Sequence, residues 1–205
     1  QATSAHAMWT GSSMYEAVGM SMAAGDIDND GIADLFVGAP GYGSNGSGNY
    51  GKGSVAVLLS TDGELNDGDE VWDGFNSFNG ANSSSGLGAA MVYLDADFSG
   101  TNSEAAGWLA VGSPGDNSNG GAIYAIPGGE LEDWGDTNDS ELVIRGSSSQ
   151  GYYVGRGMVQ GMDMNGDGTE DLLFEYASST NQNATSRIGL QYGGSVGTIA
   201  MSSID

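Results

Sequence analysis

Two nine-residue stretches place oxygen donors at alternate positions. Asp26-x-Asp28-x-Asp30-Gly31-Ile32-x-Asp34 and Asp163-x-Asn165-x-Asp167-Gly168-Thr169-x-Asp171 share the pattern D-x-[DN]-x-D-G-x-x-D. A hard cation such as calcium takes about six to eight oxygens at about 2.3–2.6 Å. Alternate residues of a tight loop turn their oxygens inward, which supplies Asp26, Asp28 and Asp30, or Asp163, Asn165 and Asp167. Gly31 and Gly168 permit the bend, because glycine takes positive φ without steric cost. The carbonyl of Ile32 or Thr169 then falls at the seventh ligand position, and Asp34 or Asp171 closes the shell. An EF-hand needs a Glu at its twelfth position and flanking helices, and neither is present.

Solvated turns are the competing reading, since Asp and Asn favour turns in any case. Two copies 137 residues apart argue against chance, because that interval is twice the repeat length described below. Two calcium ions are therefore expected. A third stretch, Asp95-Ala96-Asp97-Phe98-Ser99-Gly100, begins correctly but lacks the closing Asp, with Glu104 as a substitute. That loop is expected to be metal-free or weak. Unneutralised carboxylates repel one another. A bound divalent ion turns that repulsion into a clamp, and its binding free energy becomes folding free energy.

Other chemistry is poorly supported. His6 is the single histidine, and no nucleophile-elbow context supports a Ser-His-Asp arrangement with it. Carboxylate pairs for glycoside hydrolysis cannot be singled out where the acids cluster in turns. No catalytic or organic-cofactor residues are assigned, and the chain is not expected to be an enzyme. Sequons at Asn45, Asn82, Asn138 and Asn183 are near what so much Asn and Ser would give.

The elements that must hold the loops recur along the chain. Val18-Gly19, Leu87-Gly88 and Val154-Gly155 open three units spaced 69 and 67 residues apart. Met22, Met91 and Met158 follow in register, and inner-strand core packing is expected for all three. After each Asp-rich loop comes an apolar strand: Leu35-Phe36-Val37, Leu109-Ala110-Val111 and Leu172-Leu173-Phe174. Two of these run into Gly38-Ala39-Pro40 and Gly112-Ser113-Pro114. Third strands follow at 53–57, 121–125 and 187–192, and fourth-strand candidates lie at 71–74 and 143–146. Four short strands per period make the blade of a β-propeller. An all-β fold of three blades, each of four antiparallel strands, is expected. The repeats span about 16–85, 86–150 and 151–205 of a single domain.

The order strand, Asp loop, strand, Gly-Ala-Pro, strand resembles the FG-GAP repeat of integrin alpha-chain propellers and of many microbial surface proteins. The match is closest over Gly25 to Pro40 and extends over roughly residues 16 to 195. The resemblance implies calcium between the first and second strands of a blade. The sequence departs from the pattern at Val18, Leu87 and Val154, which replace the leading Phe. Glu175-Tyr176-Ala177 stands where the third Gly-Ala-Pro would fall.

Composition sets outer bounds. Four basic and 27 acidic side chains give a formal charge of -23, which excludes a nucleic-acid binder because phosphate binding needs Lys and Arg. Anionic lipid is disfavoured for the same reason. No apolar run approaches the ~20 residues that span a bilayer, so membrane insertion is not expected. Nothing at Gln1 resembles a signal peptide, so a mature or trimmed form is expected. Acidity and calcium dependence both point outside the cell, where sites of about 10⁻⁴–10⁻³ M affinity are used.

A structural or adhesive calcium-binding protein of the cell surface is the reading that follows, with self-association, other surface proteins or glycans as partners. A lectin-like propeller module and an accessory domain of a secreted hydrolase are the alternatives. Three blades fall short of the usual four to eight. Residues 5–11 are a spare strand that either completes a blade within the chain or, by hypothesis, pairs with a neighbouring subunit to give filaments. Thr198 to Ser202 is expected to complete the third blade. Contacts are expected through the loops at 41–51, 79–86 and 116–121.

Overall fold

A computed structural model describes residues 10–11, 13, 15–44, 51–61, 64–65, 77–79, 84–94, 107–128, 137, 140–148, 152–177 and 185–201. The first repeat folds as β1 (Ser21–Gly25), β2 (Asp34–Ala39) and β3 (Ser54–Leu58), followed by a short ribbon of β4 (Ser60–Thr61) and β5 (Glu64–Leu65), then β6 (Ser77–Asn79). The second has β7 (Met91–Leu94), β8 (Trp108–Ser113), β9 (Ala122–Pro127) and β10 (Leu142–Arg145). The third has β11 (Met158–Met162), β12 (Asp171–Ala177) and β13 (Ser186–Gln191), with β14 (Gly197–Ala200) after it. The chain is all-β in several sheets, with one main sheet per repeat.

The first sheet has the expected four antiparallel strands, in the order β1-β2-β3-β6. Its fourth strand is β6, whereas the expected one at 71–74 lies outside the described residues. The second sheet, β7-β8-β9-β10, gains β14 as a parallel fifth strand with Ile144 opposite Ile199. This corrects the expectation that the C-terminal strand completes the third blade. The reason is packing: Met201 is buried and Ile199 partly buried in the core shared by the second and third sheets, and the Met201 N–H reaches the Arg145 carbonyl at 2.8 Å. The third sheet has three strands among the described residues, not four.

The sheets stack through their first strands, with β7 packed against both β1 and β11. Period-two alternation divides the middle strands between two cores. Phe36 of β2 and Val111 of β8 meet Val55, Leu87, Met91 and Tyr124 between the first and second sheets. Ala110 of β8 and Phe174 of β12 meet Trp108, Ile123, Tyr152 and Leu172 between the second and third. β8 therefore has both faces covered, which accounts for its unbroken apolar run.

The paired glycines of the repeat have a direct steric explanation. The N–H of Gly19 donates to the Gly38 carbonyl at 2.9 Å, and that of Gly88 to Gly112 at 3.0 Å, within one repeat. Between repeats, the Gly88 carbonyl lies where a Cβ on Gly38 would be, and the Gly155 carbonyl where a Cβ on Gly112 would be. Each sheet thus meets the next through bare backbone. At the third such position stands Glu175, so this contact cannot be made a third time from β12.

Met91 is buried and Met158 packs against the inter-sheet core, as expected. Met22 does not: it is 63% exposed. Its side chain leaves β1 on the side away from the second sheet, where no described residues cover it. Of the spare strand at 5–11, residues 5–9 lie outside the described residues, as do Trp9 and Trp72. Among the described residues no helix is long and apolar enough to cross a membrane.

Candidate metal centre

The two Asp-rich stretches fold as the connections β1–β2 and β11–β12 and adopt one conformation. Gly31 and Gly168 have φ of 89° and 93°, so the bend assigned to glycine is made in the left-handed region. Asn29 and Gly166 are also left-handed, at 61° and 80°.

Six hydrogen bonds recur between the loops. Asp26 Oδ1 accepts from the Asp30 N–H and Oδ2 from the Gly31 N–H, at 3.0 and 2.9 Å. Asp163 accepts from the N–H groups of Asp167 and Gly168 at 3.1 and 2.9 Å. Asp28 and Asn165 accept from the same Asp30 and Asp167 amides. Asp30 takes the N–H of Ile32, and Asp167 that of Thr169. The closing residues are the most deeply held. Asp34 accepts from Ile27 and Ser60 N–H at 3.0 and 2.9 Å, and Asp171 from Met164 and Gly193 at 2.6 and 3.1 Å.

In the first loop, oxygens of Asp26, Asp28 and Asp34 lie within 4.8 Å of one another. Asp34 is buried, and Asp26 and Asp28 are half-buried. Loss of water around Asp28 holds its carboxyl above the usual range, and the nearby charge of Asp34 adds to this. Convergent, partly desolvated carboxylates are the donor set a hard cation needs, so these residues fit calcium. Asp30 stands outside that trio and is exposed, and Ile32 is half-buried. In the second loop, Asp163, Asn165 and Asp167 are exposed, Thr169 is half-buried and Asp171 is buried. The Thr169 hydroxyl and amide both donate to Asp167 and hold its carboxyl below the usual range. Asp95, Asp97 and Glu104 lie outside the described residues, as do the four sequon asparagines.

Some contributors had no signal in the sequence. The hydroxyl of Tyr93, on β7, donates to the Asp26 carbonyl at 2.7 Å, so the second sheet supports the first loop. The Tyr93 ring packs on Gly25, where any Cβ would overlap it. Asp116 is also not the surface group expected in the loop at 116–121. It is buried, accepts the Tyr124 hydroxyl and the Asn117 N–H, and lies 3.8 Å from Arg145. Burial, and then Asp116, push the Tyr124 hydroxyl pKa upward.

Comparison with known proteins follows the same lines. The FG-GAP repeat family matches residues 18–58, which run from Val18 through the first Asp loop to the end of β3. The chain is an FG-GAP-repeat protein. Integrin alpha-PS2 of Drosophila melanogaster is 31% identical to it over 179 residues, which cover 83% of this chain. This FG-GAP protein spans 12% of the length of that curated relative. The matched repeat contains all five candidate ligands of the first loop.

Proposed function

We propose that this chain is a calcium-binding adhesive module of the cell surface or extracellular space, in which cations brace the β1–β2 and β11–β12 connections. The observation that carries the reading is the convergence of Asp26, Asp28 and Asp34. In the first loop the ligands are Asp26, Asp28, Asp30, Asp34 and the Ile32 carbonyl. In the second they are Asp163, Asn165, Asp167, Asp171 and the Thr169 carbonyl. A bound ion supplies positive charge and ties the two strands of a hairpin together; the chain's own part is to hold the oxygens in place through the backbone amides described above.

Similarity to an integrin alpha chain supports the adhesive role and the cell-surface setting. Partner contact is further supported by the outer face of the third sheet. There Val159, Leu173 and Leu190 lie side by side, next to Glu175 and Ile188, and Val159 and Ile188 are 58% and 76% exposed. Self-association or another surface protein is the proposed use of that face.

Thermal unfolding tests the calcium reading. A ligand at about 100 times its Kd contributes about 2.7 kcal/mol per site. For a chain of this size that is a rise in Tm of about 5–10 °C. EDTA should lower the melting temperature by about that amount for each site emptied, and excess calcium should restore it. Indifference to both would remove the metal assignment.

A further inference from the structure

The end of the sheets opposite the aspartate loops carries a separate feature. β1 runs into the first loop and β2 returns from it, so the residues before β1 and after β2 share the far end. By the same topology the residues before β7 and β11, and the β8–β9 connection, lie there too. They line an open cavity of about 670 Å³ with residues from all three repeats, among them Tyr15, Ser44, Ser84, Asn119, Tyr153 and Arg156.

Two features set the third repeat's side of this cavity apart. The first is the backbone of Tyr153. The residues preceding the three Val/Leu-Gly pairs, Ala17, Gly86 and Tyr153, have φ of 55°, 66° and 50°. The second repeat meets this requirement with glycine. The third places a bulky ring in the left-handed region, where such residues are outliers, and its N–H is pinned to the Asn119 carbonyl at 3.1 Å. The second is charge. Arg156 is one of four basic residues in a chain of net charge -23, and it stands in this cavity with its guanidinium carbon 4.6 Å from the Tyr153 ring centroid. Among the described residues no carboxylate forms an ion pair with Arg156.

A guanidinium stacked on a ring is pre-oriented for bidentate recognition of a carboxylate. Aromatic rings bury the apolar face of a ligand, and the Ser and Asn side chains offer hydroxyl partners. We propose that this cavity binds a hexuronate unit of an acidic saccharide, with Arg156 on its carboxylate, Tyr153 against its ring, and Asn119, Ser44 and Ser84 beside its hydroxyls. The proposal does not depend on the cation reading, because the loops lie at the opposite end of the strands.

The test is an NMR titration of the full chain at saturating calcium with sodium D-glucuronate, D-glucose, sodium acetate and an acidic dipeptide. Glucuronate is expected to move the amides of Tyr153, Arg156 and Asn119, and to bind at least about tenfold more tightly than the other three. Arg156→Ala should abolish the response and Arg156→Lys should retain part of it, since Lys keeps the charge without the fork. Tyr153→Gly should weaken binding while leaving the melting temperature unlowered, because glycine meets the same backbone requirement at Gly86. A length series of oligouronates separates a polysaccharide source, where affinity rises with length, from a free sugar, where it does not. Equal binding of glucose, equal or tighter binding of acetate or the dipeptide, no binding, or an unchanged response in Arg156→Ala would each overturn the proposal.

Discussion

Replacing Asp34 with Ala is expected to lower the unfolding free energy by about 3–5 kcal/mol, measured by urea denaturation in excess EDTA. The carboxylate is buried and its two oxygens accept from the Ile27 and Ser60 amides, one just beyond β1 and one just beyond β3. Alanine leaves both donors without a partner, and each unsatisfied buried group costs about 1–3 kcal/mol. Asn keeps one acceptor oxygen and should lose about half as much. Asp30→Ala is the comparison: its exposed carboxylate takes only the Ile32 N–H, and the change should stay below about 1 kcal/mol. Because chelator is present throughout, the difference reports the scaffold of the loop and not its cation. Equal effects at Asp34 and Asp30 would contradict the assignment of Asp34 as the peg of the hairpin.

Gly112→Ala should be at least as damaging. The added methyl would occupy the place of the Gly155 carbonyl oxygen, which is backbone and cannot rotate aside. Overpacking of this kind costs about 1–3 kcal/mol and more where the backbone must move. A loss of about 3 kcal/mol or more is expected, with increased exposure of Trp108 in the adjoining core read by fluorescence. Gly157→Ala is the control: the nearest atom to its Cβ is the end of the Glu175 side chain at 3.3 Å, which can turn away. If both substitutions were tolerated equally, the glycine contact would not be what joins the sheets.

Much of the architecture was legible because it is local and repeated. A period near 68 residues, short apolar runs and turn-rich separators were enough to place most of the strands of each repeat. The two loops could be read because D-x-[DN]-x-D-G-x-x-D encodes its own bend and its own donors. Residues that act over long distances were not legible. Tyr93 looks like any strand tyrosine, yet its hydroxyl reaches a carbonyl 67 positions earlier. The apolar alternation around Ile199 suits any free sheet edge, and nothing local directs it to β10 rather than β13. Met22 shares its register with Met91, but its exposure depends on what lies beside the first sheet. Glu175 was visible as a departure from Gly-Ala-Pro. Its consequence follows only from where the Gly88 and Gly155 carbonyls sit.

Asp34 and Asp171 also carry a second role beyond the one assigned from spacing. Each holds the start of its loop to the segment just beyond the third strand of its sheet, through Ser60 or Gly193, before any cation is considered. The trio in the first loop is therefore built on a fixed member, Asp34, to which Asp26 and Asp28 are brought by the turn. With four carboxylates and the support of Tyr93, the first loop is expected to bind the more tightly of the two.

Calorimetric titration of the chelator-stripped chain with calcium is the most direct measurement. It should give saturable heat with about two ions bound per chain, in the millimolar-or-tighter range of extracellular sites. The Asp26→Asn, Asp28→Asn double variant should lose the tighter step and keep the other. Absence of saturable heat, or the same titration curve from that variant, would contradict cation binding at the β1–β2 connection.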